Sequence, residues 1–219
     1  MLAGEAMVAI WNGIAPEGRD EFYAWHNDEH IPERVGIPGF RRGRRYIAAD
    51  VATRPEFFTL YELETLQVAQ GQDYATRLNA PTPWTKRVTA HFRDTFRVLA
   101  KVADSRGPGM GGALLTIRFD LDDATVLRHL LADAANAPRV CGVHLGAGDR
   151  AASAVQSAES QGRTDIKPPP GWFLLVEATD PAAFDGLLPH EALANAGAHG
   201  MERGIYRLEY IRGRTAWSA

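Results

Sequence analysis

The chain has 219 residues, 45% of them hydrophobic and 23% charged, with a formal net charge of −3. That is ordinary globular composition, enough for one large domain or two of roughly 100 residues, and the acidic balance argues against a nucleic-acid-binding footprint. A single cysteine, Cys141, excludes an internal disulfide. No apolar run approaches the ~20 residues that span a bilayer, and the first residues lack a signal-peptide pattern, so a cytoplasmic location is expected.

In chain order, Ala6 to Trp11 is an apolar strand, followed by a helical stretch from about Arg19 to Ile31. Pro38-Gly39 marks a turn, and Phe40 to Ala48 and Phe57 to Leu63 read as strands rich in β-formers. Leu66 to Leu78 reads as a second helix and His91 to Val102 as a fourth strand. The Gly-rich segment 105–112 is the clearest linker in the chain. After it the order repeats: strand Ala113 to Phe119, helix Asp123 to Asn136, strands Val140 to Leu145 and Trp172 to Ala178, helix Pro181 to Ala196, and strand Gly204 to Ile211.

Each half is βαββαβ, which divides the chain into a first repeat over 1–104, a linker over 105–112 and a second, degenerate repeat over 113–219. Two helices on one face of such a four-stranded sheet leave the other face bare, and a bare apolar face must be covered. The attached second copy covers it most simply. The expected fold class is therefore α+β: two ferredoxin-like repeats packed sheet to sheet into an intrachain α/β barrel, helices outside. The segment 151–170, Ser-, Gln- and Ala-rich and ending in three prolines, is either a surface loop or a lid.

The densest chemistry lies in Trp25-His26-Asn27-Asp28-Glu29-His30-Ile31-Pro32-Glu33-Arg34. Residues three and four apart share a helix face, so His26, Glu29, His30 and Glu33 project together. Pro32 removes a backbone donor, and the helix should end or kink there. One reading makes His26 and His30 proton-transfer groups, with Glu29 raising an imidazole pKa and orienting its ring. The pocket would be lined by Trp11, Tyr46 and Tyr61, with Trp25 and Trp84 as further aromatic walls and Arg42 or Arg44 reaching a substrate anion. Another reading is purely structural: histidines and arginines that pair with Asp28, Glu29 and Glu33 and hold the helix end. A third takes His26 to His30, spelled H-x-x-E-H, as a zinc-binding pattern; no third ligand is identifiable. No metal residues are assigned and no cofactor is expected, with metal or haem the remaining option.

These segments, together with Ile37-Pro38-Gly39-Phe40, Phe58-Thr59-Leu60-Tyr61-Glu62 and Asn79-Ala80-Pro81-Thr82-Pro83-Trp84-Thr85, resemble the dimeric α/β-barrel superfamily and, within it, the EthD-like group. The resemblance is good over residues 6–100, whereas the second half matches in element order only. It implies the ferredoxin-like barrel. For activity it implies only a broad range, from cofactor-free oxygenases and cyclases to haem enzymes and proteins without known catalysis. The expectation is a small-molecule-binding protein, possible as a cofactor-independent enzyme acting on an aromatic or carbonyl metabolite, with a non-catalytic binding protein as the rival. A further pairing of the internally duplicated chain into a homodimer is left open.

Overall fold

The structure is a computed structural model in which residues 2–214 are described; the last five residues of the second repeat lie outside them. The first repeat runs β1 (Ala6–Ile14), α1 (Arg19–Trp25), a π-helical turn (His26–His30), α2 (Ile31–Gly36), β2 (Phe40–Ala48), β3 (Phe57–Leu63), α3 (Leu66–Gln70), α4 (Gln72–Asn79), α5 (Pro83–Thr89) and β4 (Phe92–Arg106). The second runs β5 (Ala113–Asp120), α6 (Arg128–Ala135), β6 (Val140–Gly148), α7 (Arg150–Ser153), β7 (Ile166–Lys167), β8 (Trp172–Ala178), α8 (His190–Asn195) and β9 (His199–Gly213).

The strands follow the order β1-β3-β2-β9-β5-β8-β6-β4, and a β1–β4 pairing closes the ring into an antiparallel barrel. Within each repeat the order is that of a ferredoxin-like unit. The two 15-residue strands join the copies. The start of β4 pairs with β1 and its end, through Arg106, with β6. In the same way β9 pairs first with β5 and then with β2. This corrects the expected linker, because Ser105 and Arg106 are ladder residues and only 107–112 bridge the strands. Their sequence carries no strong alternation, so the partner strand supplies their register.

Three apolar layers result. The barrel interior holds Trp11, Tyr46, Phe58, Leu60, Phe173, Leu175 and Tyr206. The helices of the second repeat cover Leu115, Ile117, Val143 and Val176 on the outer face. Those of the first cover Val8, Tyr61, Leu63, Phe57 and Phe22. β3 is buried at all seven positions because one of its faces meets the barrel lumen and the other the helices. Gly39 makes the α2–β2 turn at φ +88°, where a Cβ would fall 2.5 Å from Val68.

Two helix expectations change. The first helix does not stop at Pro32. The Ile31 N–H bonds to the His26 carbonyl, five residues back, and the helix then continues to Gly36. This wider turn absorbs the missing proline donor. The second helix is broken at Gly71, and the Pro-rich exit turns into α5, whose start is capped by Thr82 accepting from the Thr85 N–H. No described helix is long and apolar enough to cross a membrane.

Candidate functional site beneath the π-helical turn

The π turn decides which side chains face the sheet. A turn closed five residues apart takes more residues than the 3.6 of an α-helix, so residue i+4 stays on the face while i+3 is rotated off it. His26 and His30 both point inward, 3% and 6% exposed. Their rings lie 5.6 Å apart, with the Trp25 indole 4.2 Å from His30 and stacked on His26, and Phe22 4.9 Å from His26.

Glu29 points elsewhere. Its Oε1 accepts hydrogen bonds from Trp25 Nε1 (3.1 Å), Thr82 Oγ1 (2.6 Å) and Thr85 Oγ1 (3.0 Å). It fastens the π turn to the start of α5 instead of orienting an imidazole. The expected rise in imidazole pKa is reversed as well. Burial, then Arg45 and Arg34, hold His26 well below the usual histidine range. Burial, then Arg34 and His26, do the same to His30. Both rings are neutral at neutral pH.

The two histidines differ in occupation. His26 Nδ1 lies 3.5 Å from Arg45 Nη1, which also donates to Asn27 Oδ1 at 2.8 Å, while Arg45 Nε donates to Glu209 at 3.1 Å. Among the described residues, His30 Nδ1 is buried without a hydrogen-bond partner, and so are the Tyr61 hydroxyl and Arg34 Nη1. Tyr61 is 1% and Arg34 2% exposed, and the Tyr61 ring stands 6.4 Å from that of His30. Burial raises the Tyr61 pKa, so the phenol stays a donor. Burial works against the Arg34 charge, but Glu159 beside it, with Tyr74 and Tyr61, holds its pKa above the ordinary arginine value. A neutral base, a phenol donor and a cation are thus buried beside one another.

The other expected wall residues divide between the two faces of the sheet. Trp11, Arg44 and Tyr46 alternate onto the barrel side, across the sheet from the imidazoles. Trp11 donates to Thr116 at 3.1 Å. Arg44 lies 2.9 Å from Glu62 and 3.0 Å from Glu177, and Arg42 donates to Glu62 at 2.9 and 2.6 Å. Burial alone would raise the Glu177 pKa, but His144 and Arg44 outweigh it and bring it to about 2. These arginines therefore pair with strand glutamates, not with Asp28, Glu29 or Glu33. Trp84 packs at the rim of the Phe22–Trp25 cluster. Of the substrate-binding set, Trp25 and Tyr61 lie against His30.

The sequence reading assigned no site role to Arg34, Arg45 or Glu159. Two signals were available: Arg34 lies four residues after His30 on the helix, and Arg45 shares a strand face with Gly43, the small residue against which Ile31 and Tyr61 pack. Glu159 carried none. The segment 151–170 crosses from the second repeat onto the first. β7 pairs with β4 at Thr95 and Phe96, the Glu159 N–H bonds to the Leu78 carbonyl, and the Glu159 carboxylate meets Arg34 Nη2 at 2.5 Å. Outside this strap lies a cleft of about 780 Å³ walled by Pro81, Lys86, Phe92, Glu159 and Arg163, and a second of about 300 Å³ shares Glu159 and Arg163.

Among the described residues no three or more His, Cys, Asp or Glu side chains are grouped to hold a metal ion. Haem iron takes a histidine, cysteine, methionine or tyrosine that faces an open cavity. Here His26 and His30 pack against Phe22 and Trp25, and neither cleft beside the strap has any of those four residues in its wall, so the residues lining them do not fit that group.

The fold is that of the dimeric α/β barrels, with both ferredoxin-like units in one chain. Among solved structures, the chain is similar to an anthrone oxidase-like protein at 9% identity and a TM-score of 0.58, over 95% of this chain and 92% of that one. It is also similar to proteins provisionally described as monooxygenases from Fusobacterium nucleatum (10% identity, TM-score 0.56, 97% and 96% covered) and Lactobacillus acidophilus (9%, 0.56, 95% and 96%). No family model and no curated protein matches the sequence. At these identities the likeness defines the fold.

Proposed function

We propose that this protein binds a small aromatic or carbonyl-bearing metabolite in the recess beneath the π turn and moves protons on it without a cofactor, with His30 as the acid–base group. The observation that carries this is the cluster of three buried polar atoms without hydrogen-bond partners, His30 Nδ1, the Tyr61 hydroxyl and Arg34 Nη1. Buried polar groups are ordinarily satisfied, and neighbouring ones that are not call for a water, an ion or the polar end of a ligand; a base, a donor and a cation side by side favour the ligand.

The chemistry follows from the charges. Neutral His30 accepts a proton from an acidic carbon or hydroxyl of the ligand. The oxyanion left behind is met by the Tyr61 O–H and the Arg34 guanidinium, both of which keep their protons. Return of the proton to another atom completes an isomerisation, or the anion closes a ring. His26, whose ring nitrogen is already engaged by Arg45, positions the turn. Glu29 does not take part in proton transfer.

The test is a screen of enolisable aromatic ketones in deuterated buffer, read by mass spectrometry as deuterium incorporated into the ligand. The wild type accelerates exchange, while His30→Gln loses at least about 100-fold of that rate and keeps ligand affinity. Equal exchange by both proteins rejects the reading. Tight binding with no exchange by either makes the protein a binder only.

A further inference from the structure

Resting on that reading, we propose that the ligand carries a carboxylate, and that Glu159 occupies the carboxylate's place until the ligand displaces it. Arg34 presents a planar fork of donors that suits a two-pronged carboxylate contact. Glu159 fills only one prong, Nη2 at 2.5 Å, and leaves Nη1 without a hydrogen bond. The other carboxylate nearby, Glu33, stands 3.9 Å from Nη1 and is held by Arg77 at 3.2 Å. Tyr74 faces the guanidinium at 5.9 Å with its ring, and the Tyr61 hydroxyl has no partner. The recess therefore has more donors than its resident acceptor uses.

The exchange is electrostatically balanced. A buried arginine stripped of its counter-charge is costly, so a neutral ligand cannot replace Glu159 cheaply. A carboxylate can: one negative charge leaves as another arrives, and the newcomer takes the Nη2 contact and gains the free Nη1, leaving the Tyr61 hydroxyl, beside the Arg34 charge, for the oxyanion. The rings beside Arg34 and His30 are aromatic, Trp25 against His30 and Tyr61 against Phe40, so a ligand that parts them gains most from a flat aromatic body. Glu159 can leave without unfolding the strap. The main chain stays tied by Ala158 N–H to Asn79 Oδ1 at 3.0 Å, by Thr95 N–H to the Asp165 carbonyl at 2.9 Å, and by Arg163 to Thr95 Oγ1 at 2.8 Å. Glu159 itself lines both clefts beside the strap, so the acid that would leave already borders open space.

The experiment measures binding of benzoate, 2-hydroxybenzoate, benzamide and inorganic phosphate to the full chain by calorimetry, in wild type, Glu159→Gln and Arg34→Gln. Expected are binding of the aromatic carboxylates over benzamide, and about a tenfold gain in their affinity in Glu159→Gln, where the internal competitor is neutral. Phosphate should show no such gain. Loss of carboxylate binding in Arg34→Gln agrees with the assignment, and should that variant not fold, the Glu159→Gln gain decides alone. Unchanged carboxylate affinity in Glu159→Gln overturns the proposal, as does benzamide binding as well as benzoate. A gain for phosphate equal to that for benzoate replaces the carboxylate with a generic anion site and also overturns it. The two readings fail separately. Ketone exchange that depends on His30 without carboxylate selectivity leaves the acid–base reading standing, whereas carboxylate selectivity without exchange leaves only the binding site.

Discussion

Burying two neutral imidazoles should make the fold sensitive to acid in a calculable way. His26 and His30 have folded-state pKa values well below the reference of 6.5, so the unfolded chain takes up their protons before the folded one does. With a depressed folded pKa, their contribution is fully present above about pH 6.5 and is lost progressively as pH falls toward the folded values. Between pH 7 and 5 an unfolded histidine gains about 1.9 kcal/mol of protonation free energy, so the pair can cost the fold up to about 4 kcal/mol, the ceiling reached if neither folded ring takes a proton. The assay is urea unfolding at pH 7, 6 and 5, followed by tryptophan fluorescence, on wild type and on His26→Gln/His30→Gln. Carboxylates such as Glu177 titrate in both proteins and cancel in the comparison. The wild type should lose more stability than the double variant over that range, by up to about 4 kcal/mol. Parallel losses would mean that the rings are not buried neutral bases, and the acid–base reading would fall with them.

Two other outcomes follow from the packing. Glu29→Ala should destabilise the fold by about 2–3 kcal/mol, because three donors from Trp25, Thr82 and Thr85 lose their acceptor, yet it should leave the pH dependence of ketone exchange unchanged; a shifted exchange profile would return Glu29 to the chemistry. Arg44→Met should cost about 3–5 kcal/mol in urea unfolding, since Glu177 loses its main cation and Glu62 one of two, while Arg44→Met combined with Glu62→Gln and Glu177→Gln should recover much of that loss.

Some elements were legible because local pattern and tertiary demand coincide. Phe40–Ala48, Phe57–Leu63 and Trp172–Ala178 are strands with the boundaries read from the sequence, each an apolar or β-branched run bounded by turn residues. α5 is hidden in the sequence although Thr82 followed by Pro83 is an N-cap and first-turn pair, because the neighbouring prolines mask it. The candidate site was half legible. The helix with both histidines was evident, and so was the candidacy of Tyr61. The grouping of Trp11 and Tyr46 with the imidazoles was not correct, because alternation puts them on the opposite face of the strands.

The sequence by itself determined the duplicated βαββαβ order, the need for the two bare sheet faces to meet, and the concentration of titratable groups on one helix. These are matters of period and composition, which local residues carry. Only the tertiary structure decided that His30, not His26, is left without a partner, that Glu29 turns to the threonines of α5, and that the acid beside Arg34 is Glu159, 125 residues away. The physical reason is that periodicity says which side chains share a face and nothing about what that face meets. The π turn and the crossing strap are settled by contacts between segments remote in the chain, each satisfying a charge or a proline that its own neighbourhood leaves unresolved.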